Sequence, residues 1–106
     1  CLKIATNVFN NRINYYNNFM KHRINNIKIK DLKSRWGSCS SKKNINLNFK
    51  LIMAPIDIID YIIVHEMSHL THMNHSKDFW VEVEKYIPNW KECRKWLKVN
   101  GSKLTI

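Results

Sequence analysis

The sequence predicts an α+β fold: an N-terminal helix, a small three-stranded antiparallel sheet, a buried central helix and two C-terminal helices. Three observations predict it. Apolar residues recur at helical intervals near both ends of the chain, strict two-residue alternation is confined to short stretches between residues 27 and 49, and turn-forming residues separate these segments. No linker, repeat or low-complexity segment interrupts the 106 residues, which read as a single domain spanning 1–106.

From Leu2 to Lys21, Ala5, Val8, Phe9, Ile13, Tyr16, Phe19 and Met20 form an apolar stripe between Asn, Lys and Arg, as an amphipathic helix requires. Asn25-Asn26 breaks the pattern, and Ile27-Lys28-Ile29-Lys30 alternates as a half-buried strand does. The next run, Lys33 to Ser41, is strand-like around Gly37, a position that predicts a bulge or a close backbone approach. Ser41-Lys42-Lys43-Asn44 is turn material, and Ile45 to Phe49 alternates again. The outer edge of such a sheet presents unpaired N–H and C=O groups, an expected seat for an extended peptide.

The segment from Pro55 to Val64 is apolar nearly all round, with Pro suited to a first helical position and Asp57 favourable in the first turn. A helix of that kind is buried. Ser76 caps a further helix carrying Phe79, Trp80, Val83, Tyr86 and Ile87, which Pro88 and Asn89 end. Trp90 to Lys98 forms the last helix, with Trp90, Cys93, Trp96 and Leu97 inward and Gly101 closing it.

The buried helix runs into Val64-His65-Glu66-Met67-Ser68-His69, an uninterrupted HExxH. Residues four apart stand one turn above each other, so His65 and His69 can converge on one ion. Glu66 lies about 100° around the helix from His65, beside such an ion and within reach of a water next to it. Zinc lowers the pKa of that water to about 7, and a neighbouring carboxylate can take its proton as it attacks a carbonyl.

A third ligand is left open by the spacing. On a continuing helix His72 would lie about 7.5 Å along the axis from an ion midway between the other two, too far for a bond of about 2 Å. His75 works if the chain leaves the helix and doubles back, for which Asn74 in the left-handed conformation is suited. Glu82 or Glu84 from the following helix is the rival. The interval from His69 to His75 is also that of metzincins, but His72 stands where they have Gly and no Met-turn is recognisable.

The net charge is +10 and unevenly placed: residues 1–50 carry 11 Lys or Arg against Asp31 alone, whereas residues 51–106 carry seven of each sign. A basic front half can attract nucleic acid or an acidic protein. Three cysteines, Cys1, Cys39 and Cys93, without CxxC spacing argue against a disulfide framework and a cysteine zinc site. No run of 18 apolar residues or signal-like start is present, so the expectation is a cytoplasmic chain with no membrane partner. The absence of Met at Cys1 suggests the C-terminal part of a longer protein.

Taken together, Ser34-Arg35-Trp36-Gly37-Ser38-Cys39-Ser40, Ile45-Asn46-Leu47-Asn48, Pro55, Asp60 to Leu70, Met73-Asn74-His75-Ser76 and Phe79-Trp80 resemble the YgjP-like metallopeptidase family. That family is related to the SprT-like and WLM zinc peptidases, and the match runs from about Lys28 to Lys98. The resemblance implies a compact zincin-like fold, one Zn2+ held by His65, His69 and His75, Glu66 as general base, a bacterial cytoplasmic setting and a longer N-terminus. The expected function is zinc-dependent hydrolysis of peptide bonds in a polypeptide substrate. Tyr61, His72, Tyr86 and Arg35 are candidates for oxyanion or substrate contacts. The alternatives are a nucleic-acid-binding module with a structural zinc and a zinc hydrolase of a non-peptide amide.

Overall fold

Helix α2 (Ile56–Ser68) is the element on which the others assemble: α1 (Leu2–Met20), α3 (Lys77–Tyr86), α4 (Trp90–Asn100) and strand β2 (Gly37–Cys39) all pack against it. The computed structural model describes residues 2–21, 24, 26–30, 36–40 and 42–100. Ile58, Ile59, Ile62, Ile63 and Val64 of α2 are buried. Such β-branched residues cost up to about 0.7 kcal/mol each in an isolated helix, whereas burying one contributes about 1.5–3 kcal/mol. Tertiary burial therefore holds this helix. Pro55, expected as the first helical residue, stands instead at the N-cap, one position before Ile56, with its φ of −56° already helical, and Asp57 lies in the first turn.

On α1, Phe9, Ile13, Tyr16 and Met20 are buried. Phe19, expected in the same stripe, is 59% exposed; it lies about 80° around the helix from Phe9. The side chain of Arg12 clasps Asp60 of α2 through two bonds of 2.7 Å. Asp60 is only 7% exposed, so removing the guanidinium would leave a buried charge and cost about 3 kcal/mol.

The sheet departs from expectation: it is mixed, not antiparallel. Strand β3 (Asn44–Asn48) lies in the middle, antiparallel to β2 and parallel to β1 (Asn26–Lys30), in the order β1-β3-β2. A tight turn joins β2 and β3, with Lys43 at a φ of 64°. Two-residue alternation is the same for either strand direction, so the pattern could not distinguish them. Burial explains the order. Ile45 and Leu47 of β3 are fully buried, whereas Ile27 and Ile29 of β1 are half-buried between exposed neighbours, as on an edge. Phe49, expected to end the strand, instead starts a 3-10 helix (Phe49–Met53), because the Asn48 side chain accepts the Lys50 N–H at 3.0 Å.

Ser76 caps α3 as expected, its Oγ accepting the Phe79 N–H at 3.4 Å. On α4, Cys93 is buried and Trp90, Trp96 and Leu97 are half-buried against the core. The expected stop at Gly101 lies outside the described residues. Among the described residues no helix is long and apolar enough to cross a membrane.

Candidate metal centre

The end of α2 tightens before it stops. His69, Leu70 and Thr71 donate to carbonyls three residues back, at 3.2, 3.0 and 3.2 Å, and the His72 N–H returns to Ser68 O at 2.9 Å. This corrects one expectation: Asn74 does not adopt the left-handed conformation, since Lys21 and Lys43 are the only described non-glycine residues with positive φ. The reversal combines the tightened turn with a bend at Asn74 and an extended Ser76.

That return brings His75 to His65 and His69. Their ring centroids form a nearly equilateral triangle with sides of 5.1, 5.2 and 4.8 Å. Nε2 of His75 is 3.3 Å from Nε2 of His65, and ligand atoms of all three rings lie within 4.8 Å of one another. Two nitrogens each about 2.0–2.1 Å from one tetrahedral ion are about 3.3–3.4 Å apart. The spacing is therefore that of a coordination edge.

The tautomers agree with it. The His69 Nδ1–H donates to the His72 carbonyl at 3.0 Å, which leaves Nε2 as the free lone pair and fixes the ring plane. Burial, followed by the charges of His69, His75 and Arg94, pushes His65 down to about 3, and burial also lowers His69. Both stay neutral, the form that binds a metal. His65 Nδ1 is buried with no hydrogen-bond partner. A cation between the rings would be held by ligand nitrogens that already converge, so the three-imidazole set fits a zinc-type ion.

Beneath the triangle lies a support that the sequence did not announce. The ring of Phe79, fully buried, is 5.0, 4.5 and 5.0 Å from His65, His69 and His75, and Trp80 flanks His65 and His75 at 5.8 and 5.9 Å. Helical periodicity marks Phe79 as core; only the cap at Ser76, three residues earlier, hints that this core position faces the histidines.

Glu66, 6% exposed, follows His65 on the helix and meets β2. A Cβ on Gly37 would stand 3.1 Å from Glu66 Cγ, 3.2 Å from its Oε2 and 3.1 Å from Asn46 O. The close approach expected at Gly37 is thus to the Glu66 carboxylate. A cleft of about 330 Å3 in front of the histidines is lined by β2, Glu66 and Met73. Cys39 also lines it, its thiol pushed up to about 11 by burial and then by the Glu66 charge.

The other named residues separate into two groups. Tyr61, one turn before His65, contacts that ring at 5.8 Å and lines a second cleft with Glu66; burial pushes its phenol up to about 12, so it remains a donor. The His72 ring instead turns to α3, its Nε2 3.4 Å from Glu82 Oε2, and only its carbonyl serves the centre. Tyr86 packs edge-on against Tyr16 of α1 at 6.4 Å, away from both clefts. Glu84 is exposed, and Arg35 lies outside the described residues. Among the described residues the convergent set is His65, His69 and His75, with neither Glu82 nor Glu84.

A family model described as YgjP-like, metallopeptidase domain, matches residues 2–100. Among solved structures, the metallopeptidase zymogen of Pyrococcus abyssi abylysin is similar, with a TM-score of 0.75 at 26% identity over 87% of this chain and 95% of that one. The metallopeptidase zymogen of Methanocaldococcus jannaschii jannalysin is similar as well, with a TM-score of 0.66 at 26% identity over 92% of this chain and 95% of that one. No curated protein matches it. The family match spans the histidine triangle, Glu66 and all three strands, and the chain belongs to the YgjP-like metallopeptidase family.

Proposed function

We propose that the chain is a zinc-dependent peptidase in which His65, His69 and His75 hold one Zn2+ and Glu66 is the general base. The observation that carries this reading is the 3.3 Å approach of two Nε2 atoms in a three-histidine set beside a buried carboxylate and an open cleft. Zinc bound there would supply Lewis acidity and bring the pKa of a water towards neutrality. Glu66 takes the proton of the attacking water and passes it to the leaving amine. The neutral phenol of Tyr61, one helical turn from His65 and lining the adjoining cleft, is the candidate oxyanion donor. Strand β2, the outer strand next to the cleft, offers its free edge to an extended substrate. Three ligands without a fourth His, Cys, Asp or Glu in the described group favour an open catalytic position over a closed structural zinc.

Digestion of an unbiased peptide library tests this directly. Cleavage is expected with zinc, lost on chelation and restored by adding the metal back. Absence of cleavage by protein carrying one equivalent of zinc would sink the peptidase reading.

Gly37 supplies a finer test. In Gly37→Ala the added methyl meets backbone on one side, so Glu66 is the group that must shift. The expected result is a kcat about tenfold to a hundredfold lower with zinc affinity unchanged, since a misplaced catalytic group costs rate without touching the ligands. An unaltered kcat would contradict the role given to Glu66.

A further inference from the structure

On the α4 side of the centre lies a cleft of about 390 Å3 that shares His65 and Glu66 with the histidine site. Trp36 and Tyr61 give it apolar lining, and Arg94 and Lys98 are its cations. Arg94 and Lys98 are four apart on α4, so both present to one side of the helix. An adjoining depression of about 450 Å3 continues the basic strip with Lys91 and Lys95. Across the two clefts Glu66 is the sole acidic lining residue, set against four cations.

Arg94, although exposed, also has an aromatic neighbour. Its guanidinium lies 5.7 Å over the Trp80 ring, and Trp80 is stacked on Trp90 at 4.2 Å. No carboxylate among the described residues pairs with Arg94 or Lys98. A guanidinium fixed on an aromatic face loses less freedom when it binds, and its planar fork matches a carboxylate. Lys91 lies similarly over Trp90, at 5.5 Å, but its ammonium lacks the planar fork. The fork together with the Trp80 contact singles out Arg94 among the cations of the two clefts.

We propose that this cleft is a substrate subsite for a peptide carboxylate, with Arg94 as the specificity-determining residue and Lys98 reinforcing it. The inference rests on the peptidase reading and names its substrate class: peptides that place a negative charge on the α4 side of the scissile bond. Two sources share that chemistry, the side chain of Glu or Asp and the free C-terminal carboxylate.

Zinc-loaded protein and a neutral peptide scaffold decide the matter. Glu, Gln or Lys is placed at each position around the cleaved bond in turn, with the C-terminus free or amidated, and kcat/KM is measured. One position is expected to favour Glu over Gln by about tenfold, and over Lys by more, if the side chain is read; a free terminus gains the same factor over the amide if the terminus is read. In Arg94→Gln/Lys98→Gln that ratio falls to about one, mainly through KM. Equal efficiency on all peptides, or a ratio that survives the double substitution, overturns the subsite and leaves the peptidase reading standing. If no peptide is cleaved, the peptidase reading fails separately, and fluorescence anisotropy of the same labelled peptides on zinc-loaded Glu66→Gln protein still tests the subsite. Tighter binding of the carboxylate peptide supports it; equal binding overturns it.

Discussion

Glu66→Gln is expected to lower peptide hydrolysis by about a thousandfold or more while zinc stays bound at one equivalent, because the amide keeps the shape of the side chain but cannot accept the proton. Glu66 is 6% exposed, between α2 and Gly37, so an isosteric change leaves the packing alone. Elemental analysis gives the zinc content and a progress curve on any cleaved peptide gives the rate. Loss of both zinc and activity would make Glu66 a ligand or a structural residue; retention of both would remove it from the mechanism.

The second large effect is expected at His75. It is exposed, unlike His69, and belongs to no helix, so His75→Ala leaves the core intact. Removing one of three ligands should weaken zinc binding by more than about a hundredfold, beyond the tenfold to hundredfold typical of losing a group that merely orients a ligand. The His75 ring stacks on Trp80 at 23° and 5.9 Å, which makes indole fluorescence during a cobalt titration a direct readout. His72→Ala is the matched control. It removes the imidazole that faces Glu82 but keeps the carbonyl that orients His69, so its zinc affinity should stay within about threefold of the parent. Equal affinities for all three proteins would exclude His75 from the metal.

Local periodicity made much of this legible. Four-residue spacing puts His65 and His69 on one side of α2 whatever surrounds the helix, and the cap at Ser76 and the special position of Gly37 follow from backbone chemistry alone. Non-local geometry was not legible. The direction of β1 relative to β3 leaves no mark on an alternating sequence. The end of α2 at His69 depends on hydrogen bonds that compete with helix continuation, and spacing alone favoured His75 while leaving Glu82 and Glu84 as rivals for the third ligand. Phe79 reads as core in any amphipathic helix; that it backs three imidazoles emerges only when α3 folds against α2. Arg94 looks like a solvated charge until Trp80, stacked on Trp90, is set beside it.

Everything rests on three imidazole Nε2 atoms sharing one cation, and a crystal structure of the zinc-loaded protein with data collected at the zinc absorption edge tests it most directly. The account predicts one anomalous peak about 2.0–2.1 Å from Nε2 of His65, His69 and His75, with no fourth protein ligand. A peak bound by Glu82 or Glu84 in place of His75, or His75 turned to solvent away from the metal, would contradict it.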